Sequence, residues 1–238
     1  MSITVEPMID TIHASVHNVP ASAPKVAGYT TGTPDIVWTA ADWARFSHSK
    51  VRICQDEGSD QSADVLDIEP GAATNASAVT WARARKTQGH VPSFYTSVSN
   101  LTPLLNTLEA AGITSGYLWV ANWDLSEGEA TKLVTGQNGP FPIKAVQWAS
   151  PSSNPGTLVP GTGLTLAQAN CDLSVADESW PSVPPPPLHT SAPAPPGLWK
   201  SAQLLGIGLD GNTWGTTYDA VTGKWTAPVR EPARSVTT

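Results

Sequence analysis

Over its first 180 residues the chain switches repeatedly between two hydrophobic periods. Short apolar runs read as strands at Glu6–His13, Lys25–Tyr29, Val51–Gln55, Val65–Glu69, His90–Thr96, Gly116–Ala121, Ile143–Ala149 and Ala169–Ser174. Stretches with apolar positions three and four apart fall between several of them. Thr39 precedes a helix over 40–46, with Trp43 and Phe46 on one face. Asn75 caps a helix running to Gln88 and stopped by Gly89, with Arg83, Arg85 and Lys86 towards the negative end of its dipole. Leu101, Leu104, Leu105 and Leu108 mark a helix ended by Gly112, and Ser126 caps another to about Thr135. Between the third and fourth strands, the polar segment 56–62 leaves no room for a helix.

Eight near-continuous apolar strands alternating with helices predict an α/β fold, a parallel (β/α)8 TIM-type barrel missing one helix, over residues 1–180. Prolines at 184–187, 193, 195 and 196 then predict an extended linker over 181–197. Beyond it, Asp210-Gly211-Asn212 and Thr222-Gly223 punctuate apolar runs, which predicts a small antiparallel β meander over 198–229. A unit of that size is marginal alone and is expected to pack on the barrel, on copies of itself or on another protein. Residues 230–238 read as a frayed tail.

Composition narrows the function classes. Charged residues make up 14% of the chain and the net charge is −7, which leaves no basic footprint for nucleic acid or an anionic membrane. No apolar run is long enough to span a bilayer. Five His and two Cys are too few and too scattered for a metal cluster, so neither metal nor cofactor is expected. Cys54 and Cys171 read as two free buried thiols, with a disulfide as the alternative. The N-terminus lacks a basic region and an apolar core, so no secretory signal is expected; the protein is made in the cytoplasm and released by lysis or carried in a virion or particle.

The chemistry centres on Asp64-Val65-Leu66-Asp67-Ile68-Glu69-Pro70. Read as a strand ending at Glu69, it puts Asp67 and Glu69 on one face, with Leu66 and Ile68 on the other. Two carboxylates about 6–7 Å apart push each other's pKa values apart, so that one holds a proton near neutrality. Glycoside hydrolysis needs such a pair, although an acidic strand end in solvent has the same letters. Asp10, Asp67, Glu69, Tyr95, Trp119, Asn122, Trp123, Gln147, Trp148 and Asp172 all fall in strands or at strand ends. In a barrel these converge on the catalytic face.

With Asp10, Leu66-Asp67-Ile68-Glu69, Phe94-Tyr95-Thr96, Leu118-Trp119-Val120-Ala121, Val146-Gln147-Trp148 and Cys171-Asp172-Leu173 in order, residues 5–180 resemble family 25 glycoside hydrolases, the lysozymes or muramidases of many phage endolysins. The resemblance implies hydrolysis of the β-1,4 bond between N-acetylmuramic acid and N-acetylglucosamine in peptidoglycan. It implies Glu69 as the general acid, and Asp67 as the group that orients the N-acetyl group or stabilises the transition state. Asp10 and Asp172 would hold and polarise the sugar. Tyr95, Trp119, Trp123 and Trp148 would supply stacking walls, with Asn122 and Gln147 as further binding residues. A substrate-assisted route follows, because a DxE pair leaves poor geometry for a separate nucleophile. Family members usually carry Tyr-His-Phe on the third strand and a helix before the DxE strand. Here Val51–Gln55 and an acidic loop (Asp56, Glu57, Asp60) stand in their place, as in divergent glycoside-hydrolase-like barrels.

The C-terminal unit resembles one blade of a propeller-type lectin, with its Asp-Gly-Asn-x-Trp…Trp pattern. Three functions compete: a wall-degrading muramidase; a catalytically weak virion, tail or decoration protein that binds cell-surface glycan; and a hydrolase of another polysaccharide, such as chitin or a capsule. The expected partners are peptidoglycan or other wall polysaccharide, and a phage or particle protein (or a second copy) through 198–229.

Overall fold

The computed structural model describes residues 3–56, 58, 62–136, 139–181 and the strand residues 201–207, 213–219, 224–225 and 229–230. Glu57 and Asp60 of the acidic loop, the linker 182–197, the turn at 210–212 and the tail from 231 lie outside the described residues.

Eight strands close into a barrel in chain order: β1 (Val5–Asp10), β2 (Lys25–Tyr29), β3 (Ser49–Cys54), β4 (Val65–Asp67), β5 (Ser93–Ser97), β6 (Tyr117–Ala121), β7 (Ile143–Ala149) and β8 (Asp172–Asp177). The first seven run parallel to their neighbours. β8 does not. It pairs antiparallel with both β7 and β1, so the sheet is mixed rather than all parallel. The connection before it, residues 150–171, carries one short helix, α5 (Leu166–Ala169), and β8 enters from the end where β7 finishes.

Helices flank the barrel unevenly. A 3-10 helix (His13–Asn18) follows β1, and α1 (Ala40–Ala44) follows β2. Among the described residues no helix separates β3 from β4. The long helices are α2 (Asn75–Thr87), α3 (Val98–Ala110) and α4 (Glu127–Gly136). Thr74, not Asn75, caps α2: its hydroxyl accepts from the Ser77 N–H at 3.1 Å. α3 starts earlier than its leucines suggest and carries Pro103 as its sixth residue, where the ring removes one i→i−4 hydrogen bond. Among the described residues no helix is long and apolar enough to cross a membrane.

Side-chain alternation divides the barrel residues into two sets. Met8, Ala27, Val51, Ile53, Val65, Tyr95, Trp119, Ala121, Ala145, Ala176 and Trp180 pack together inside. Ile9, Val26 and Leu173 point outward and meet Val16, Trp38, Phe46 and Leu166 in a second layer under the loops and short helices. The interior is stratified. At the end where β1 and β2 begin, fully buried Lys25 bonds Glu6 at 3.0 Å, the Asp177 carbonyl at 2.8 Å and the Trp180 carbonyl. Trp180 packs edge-on against Trp119 at 6.2 Å and Trp119 against Tyr95 at 4.8 Å. Above these aromatics the apolar filling stops.

The C-terminal unit is a four-stranded antiparallel sheet. Its central strand, β10 (Thr213–Asp219), pairs along its length with β9 (Ser201–Ile207). β10 also pairs with β11 (Lys224–Trp225) near one end and with β12 (Val229–Arg230) near the other.

Candidate active site

At the ends of β1, β4, β5 and β7 the inward positions change from apolar to polar. Asp10 is the last residue of β1 and Asp67 the last of β4; Tyr95 and Gln147 are the matching inward positions of β5 and β7. Asp172 joins them only because β8 is reversed. As the first residue of a parallel strand it would lie at the far end; in the observed register it stands opposite Asp10.

Glu69 lies just beyond β4, not inside it, so strand alternation does not by itself set its direction. The chain stays beside β5 through the Ile68 N–H to the Tyr95 carbonyl at 2.9 Å and the Thr96 hydroxyl to the Ile68 carbonyl at 3.0 Å. Pro70 and Gly71 then turn it away; Gly71 has φ +96°, a conformation favoured by glycine.

One side chain ties the site together. Gln147 donates to Asp10 Oδ2 at 3.1 Å, and its own oxygen accepts from the Tyr95 hydroxyl at 3.0 Å and the Trp123 indole at 2.9 Å. This bonding settles the orientation of the Gln147 amide. Across the site Gln55 donates to Asp67 at 3.4 Å, a long bond. Oδ1 of Asp10 and Oδ1 of Asp67 are sealed from solvent without a hydrogen-bond partner.

The electrostatics follow from burial and crowding. Asp10 is raised well above the ordinary carboxylate range by desolvation first and by the charge of Asp172 second; Gln147 only partly offsets them. Desolvation and Glu69 raise Asp172. Desolvation, then Glu69, pushes Asp67 up to about 7. Glu69 is itself raised by desolvation, while the Tyr95 hydroxyl works the other way. Burial and the charge of Glu69 thus hold protons on Asp10, Asp67 and Asp172 well above the ordinary carboxylate range. The charge of Asp172 raises Asp10, and a hydrogen bond from Asp10 lowers Asp172, so the proton of this pair rests on Asp10.

Two cavities open on different arcs of this rim. One, of about 350 Å³, is lined by Asp10, Tyr29, Trp123, Ser150, Asn170 and Asp172 among others. Asn170 adopts φ 50°, turning the chain from α5 into β8; its side chain donates to Ser15 at 2.9 Å and its carbonyl accepts from Thr11 at 2.8 Å. Asparagine is among the few residues that take this conformation readily. The second cavity, of about 310 Å³, lies over the ends of β4 and β5 and contains Glu69.

Placement separates the expected site residues into groups. Asp10, Asp67, Glu69, Tyr95, Gln147 and Asp172 come together. Trp123, 39% exposed, stands at the mouth of the first cavity as a ring that a sugar can stack on. Trp119 does not line a cleft: it is buried in the barrel and donates to Ser174 at 3.1 Å. Trp148 points the opposite way from Gln147 and packs in the outer layer. Asn122 is buried and shapes the turn before Trp123, accepting from the Asp124 N–H at 3.3 Å. Asp67 is 2% exposed and lines neither cavity, and the charge of Glu69 acts on it from nearby. Tyr29, Gln55 and Asn170 were missed. Tyr29 could have been found as the last residue of a predicted strand; the other two occupy positions that only the packed loops define. Cys54 and Cys171 are free and buried, and burial pushes the Cys171 thiol up to about 12.

The chain matches no family model, no curated protein and no solved structure.

Proposed function

We propose that the barrel is a glycoside hydrolase of the muramidase type, cleaving the β-1,4 bond between N-acetylmuramic acid and N-acetylglucosamine in peptidoglycan. The observation that carries this reading is the set of four crowded carboxylates at one end of the barrel, Asp10, Asp67, Glu69 and Asp172, with Glu69 in a cavity and raised towards protonation. A scaffold gains nothing from sealed carboxylate oxygens without partners and bears their desolvation cost. An acid catalyst uses that cost, because it keeps a proton on a carboxyl group at neutral pH.

In this reading Glu69 donates its proton to the glycosidic oxygen as the bond to the anomeric carbon breaks. The single negative charge held by Asp10 and Asp172 faces the sugar that becomes oxocarbenium-like. The substrate's own acetamido oxygen closes on the anomeric carbon, and the intermediate is opened by water, whose proton returns to Glu69. Asp67 lines neither cavity; its own carboxyl is raised by the charge that Glu69 carries once the proton has left it. The barrel is then a divergent (β/α)8 barrel in which one helix is lost and the last strand reversed. The C-terminal sheet serves as a wall-binding or particle-assembly module, and the enzyme reaches its substrate by host lysis or in a virion.

The test is release of reducing sugar from purified peptidoglycan. Glu69→Gln keeps the shape and removes the proton donor, and is expected to lower the rate by about 10²-fold or more. Chitin run in parallel separates a muramidase from a hydrolase of another polysaccharide. Wall binding by both proteins with cleavage by neither would sink the enzymatic reading in favour of a glycan-binding particle protein.

A further inference from the structure

The two cavities differ in chemistry. The first carries the acidic pair Asp10–Asp172 and the exposed Trp123 ring. The second contains one ionisable group, Glu69, and is otherwise walled by Ile68, Pro70, Ala73 and the hydroxyl and amide side chains of Thr74, Asn75, Ser97, Ser99 and Asn100. Asn75 and Asn100 face each other across its floor and exchange two hydrogen bonds, at 3.1 and 3.0 Å. Asn100 also donates to the Thr96 hydroxyl at 2.9 Å, which in turn holds the Ile68 carbonyl one residue before Glu69. The cavity wall and the peptide that presents Glu69 are thus one hydrogen-bonded unit. Each amide oxygen of the Asn pair takes one bond from its partner and keeps a lone pair over, and Asn75 keeps its second N–H. The Ser97 hydroxyl makes no cap bond to its helix and sits 2.9 Å from that of Ser99.

We propose that this second cavity is the subsite for the departing sugar, and that it takes a neutral, hydroxyl- and amide-bearing hexosamine read by Asn75, Asn100, Ser97 and Ser99. The proposal rests on the glycosidase reading above and adds the direction of the glycan across the site. The sugar that becomes positively charged belongs beside Asp10 and Asp172, since negative charge stabilises it. The proton donor must stand between that sugar and the one that leaves. Glu69 is felt by both Asp10 and Asp172 and opens into the second cavity, so the leaving portion occupies that cavity. With no aromatic wall and no basic group among its lining residues, this cavity suits a small polar sugar better than a peptide stem or an anionic substituent.

The test compares two leaving groups. An aryl glycoside of the same glycone carries a good leaving group with no hydroxyls or amides for this cavity, whereas a glycan strand needs both the cavity and the acid. Ser99→Trp fills the cavity from an exposed position and leaves the Asn pair intact. Ser97→Ala removes a hydroxyl that makes no cap bond and leaves the Asn75–Asn100–Thr96 network in place. Each variant is expected to raise KM for the glycan strand by about tenfold, the size of one or two lost hydrogen bonds, with kcat/KM for the aryl glycoside changed less than about twofold. Glu69→Gln separates the two ideas, since it slows the strand whatever its KM. Equal losses on both substrates, or none on either, would overturn the subsite. If the wild type cleaves neither substrate, the glycosidase reading falls and binding decides the subsite. Titration with the N-acetylglucosamine disaccharide should then shift the side-chain amide resonances of Asn75 and Asn100 in the wild type and not in Ser99→Trp. Unmoved amides in the wild type would end the proposal.

Discussion

Asp10 closes β1 and Asp172 opens β8, and the antiparallel register sets the two residues directly opposite each other at the end of the barrel where the parallel strands finish. Neither is acidic in the ordinary sense. Each is desolvated, Asp172 raises Asp10, and no basic side chain is among the groups that set either of them. One proton between them is the arrangement that like charges at close range adopt.

Substituting one member should therefore be visible on the other. In Asp172→Asn the repelling charge is gone, and the carboxyl carbon of Asp10, followed by NMR, should titrate at lower pH than in the wild type. An unmoved or higher midpoint would mean the two do not interact. On peptidoglycan both Asp10→Asn and Asp172→Asn should lose activity by about 10²-fold, the scale for removing an electrostatic stabiliser.

Asp67 predicts a pH dependence of stability. Its carboxyl is raised to about 7 when folded, against about 3.9 in an unfolded chain. Below the unfolded value both states hold the proton and the contribution is intact. Between the two values only the folded state holds it, so stability falls as pH rises. Above the folded value the loss is complete. Asp67→Asn removes this dependence and should stabilise the protein at pH 8 by about 1–3 kcal/mol, shrinking towards zero near pH 4. Thermal melts of both proteins across that range check it; a variant less stable than the wild type at pH 8 contradicts it.

The Tyr95 hydroxyl favours the charged form of Glu69. Removing it in Tyr95→Phe should raise the pKa of Glu69 and carry the alkaline limb of the kcat/KM profile to higher pH, because the acid keeps its proton longer. The same change frees the Gln147 oxygen of one donor and leaves it the Trp123 indole. A limb that moves to lower pH would contradict the assignment of Glu69 as the acid.

Gly28 in β2 holds a position that no side chain fits. A Cβ there would stand 2.3 Å from Cδ2 and Cε2 of Trp38. Trp38 is 3% exposed, bonded to the Thr11 carbonyl at 2.8 Å and stacked on Phe46 at 5.3 Å, so it has nowhere to move. Gly28→Ala should cost about 1–3 kcal/mol and lower Tm by roughly 2–12 °C for a chain of this size. A melting temperature within a degree of the wild type would show that the contact is not tight.

Strand positions and most helices are legible in the chain because they rest on local periodicity. β7 falls at 143–149 as its alternation predicts, and the leucines of α3 face the barrel as their spacing requires. Asp10, Asp67, Tyr95 and Gln147 could be placed at one end of the barrel because each occupies an inward position near the end of a parallel strand. Period alone carries that information. The direction of β8 is different: the letters Cys171-Asp172-Leu173 are compatible with either sense, and the long-range pairing with β1 and β7 decides it. The same limit applies to the tryptophans. Composition supplies ten of them, but Trp119 fills the barrel, Trp148 packs outside it and Trp123 meets solvent, according to which side of a strand or turn each falls on. The second cavity is a further step removed, since Glu69 comes from one loop and Asn100 from the first turn of another element. Local sequence determined which residues are acidic, apolar and periodic. Packing over long range decided which of them meet, because burial and like-charge crowding are properties of a closed barrel rather than of any one segment.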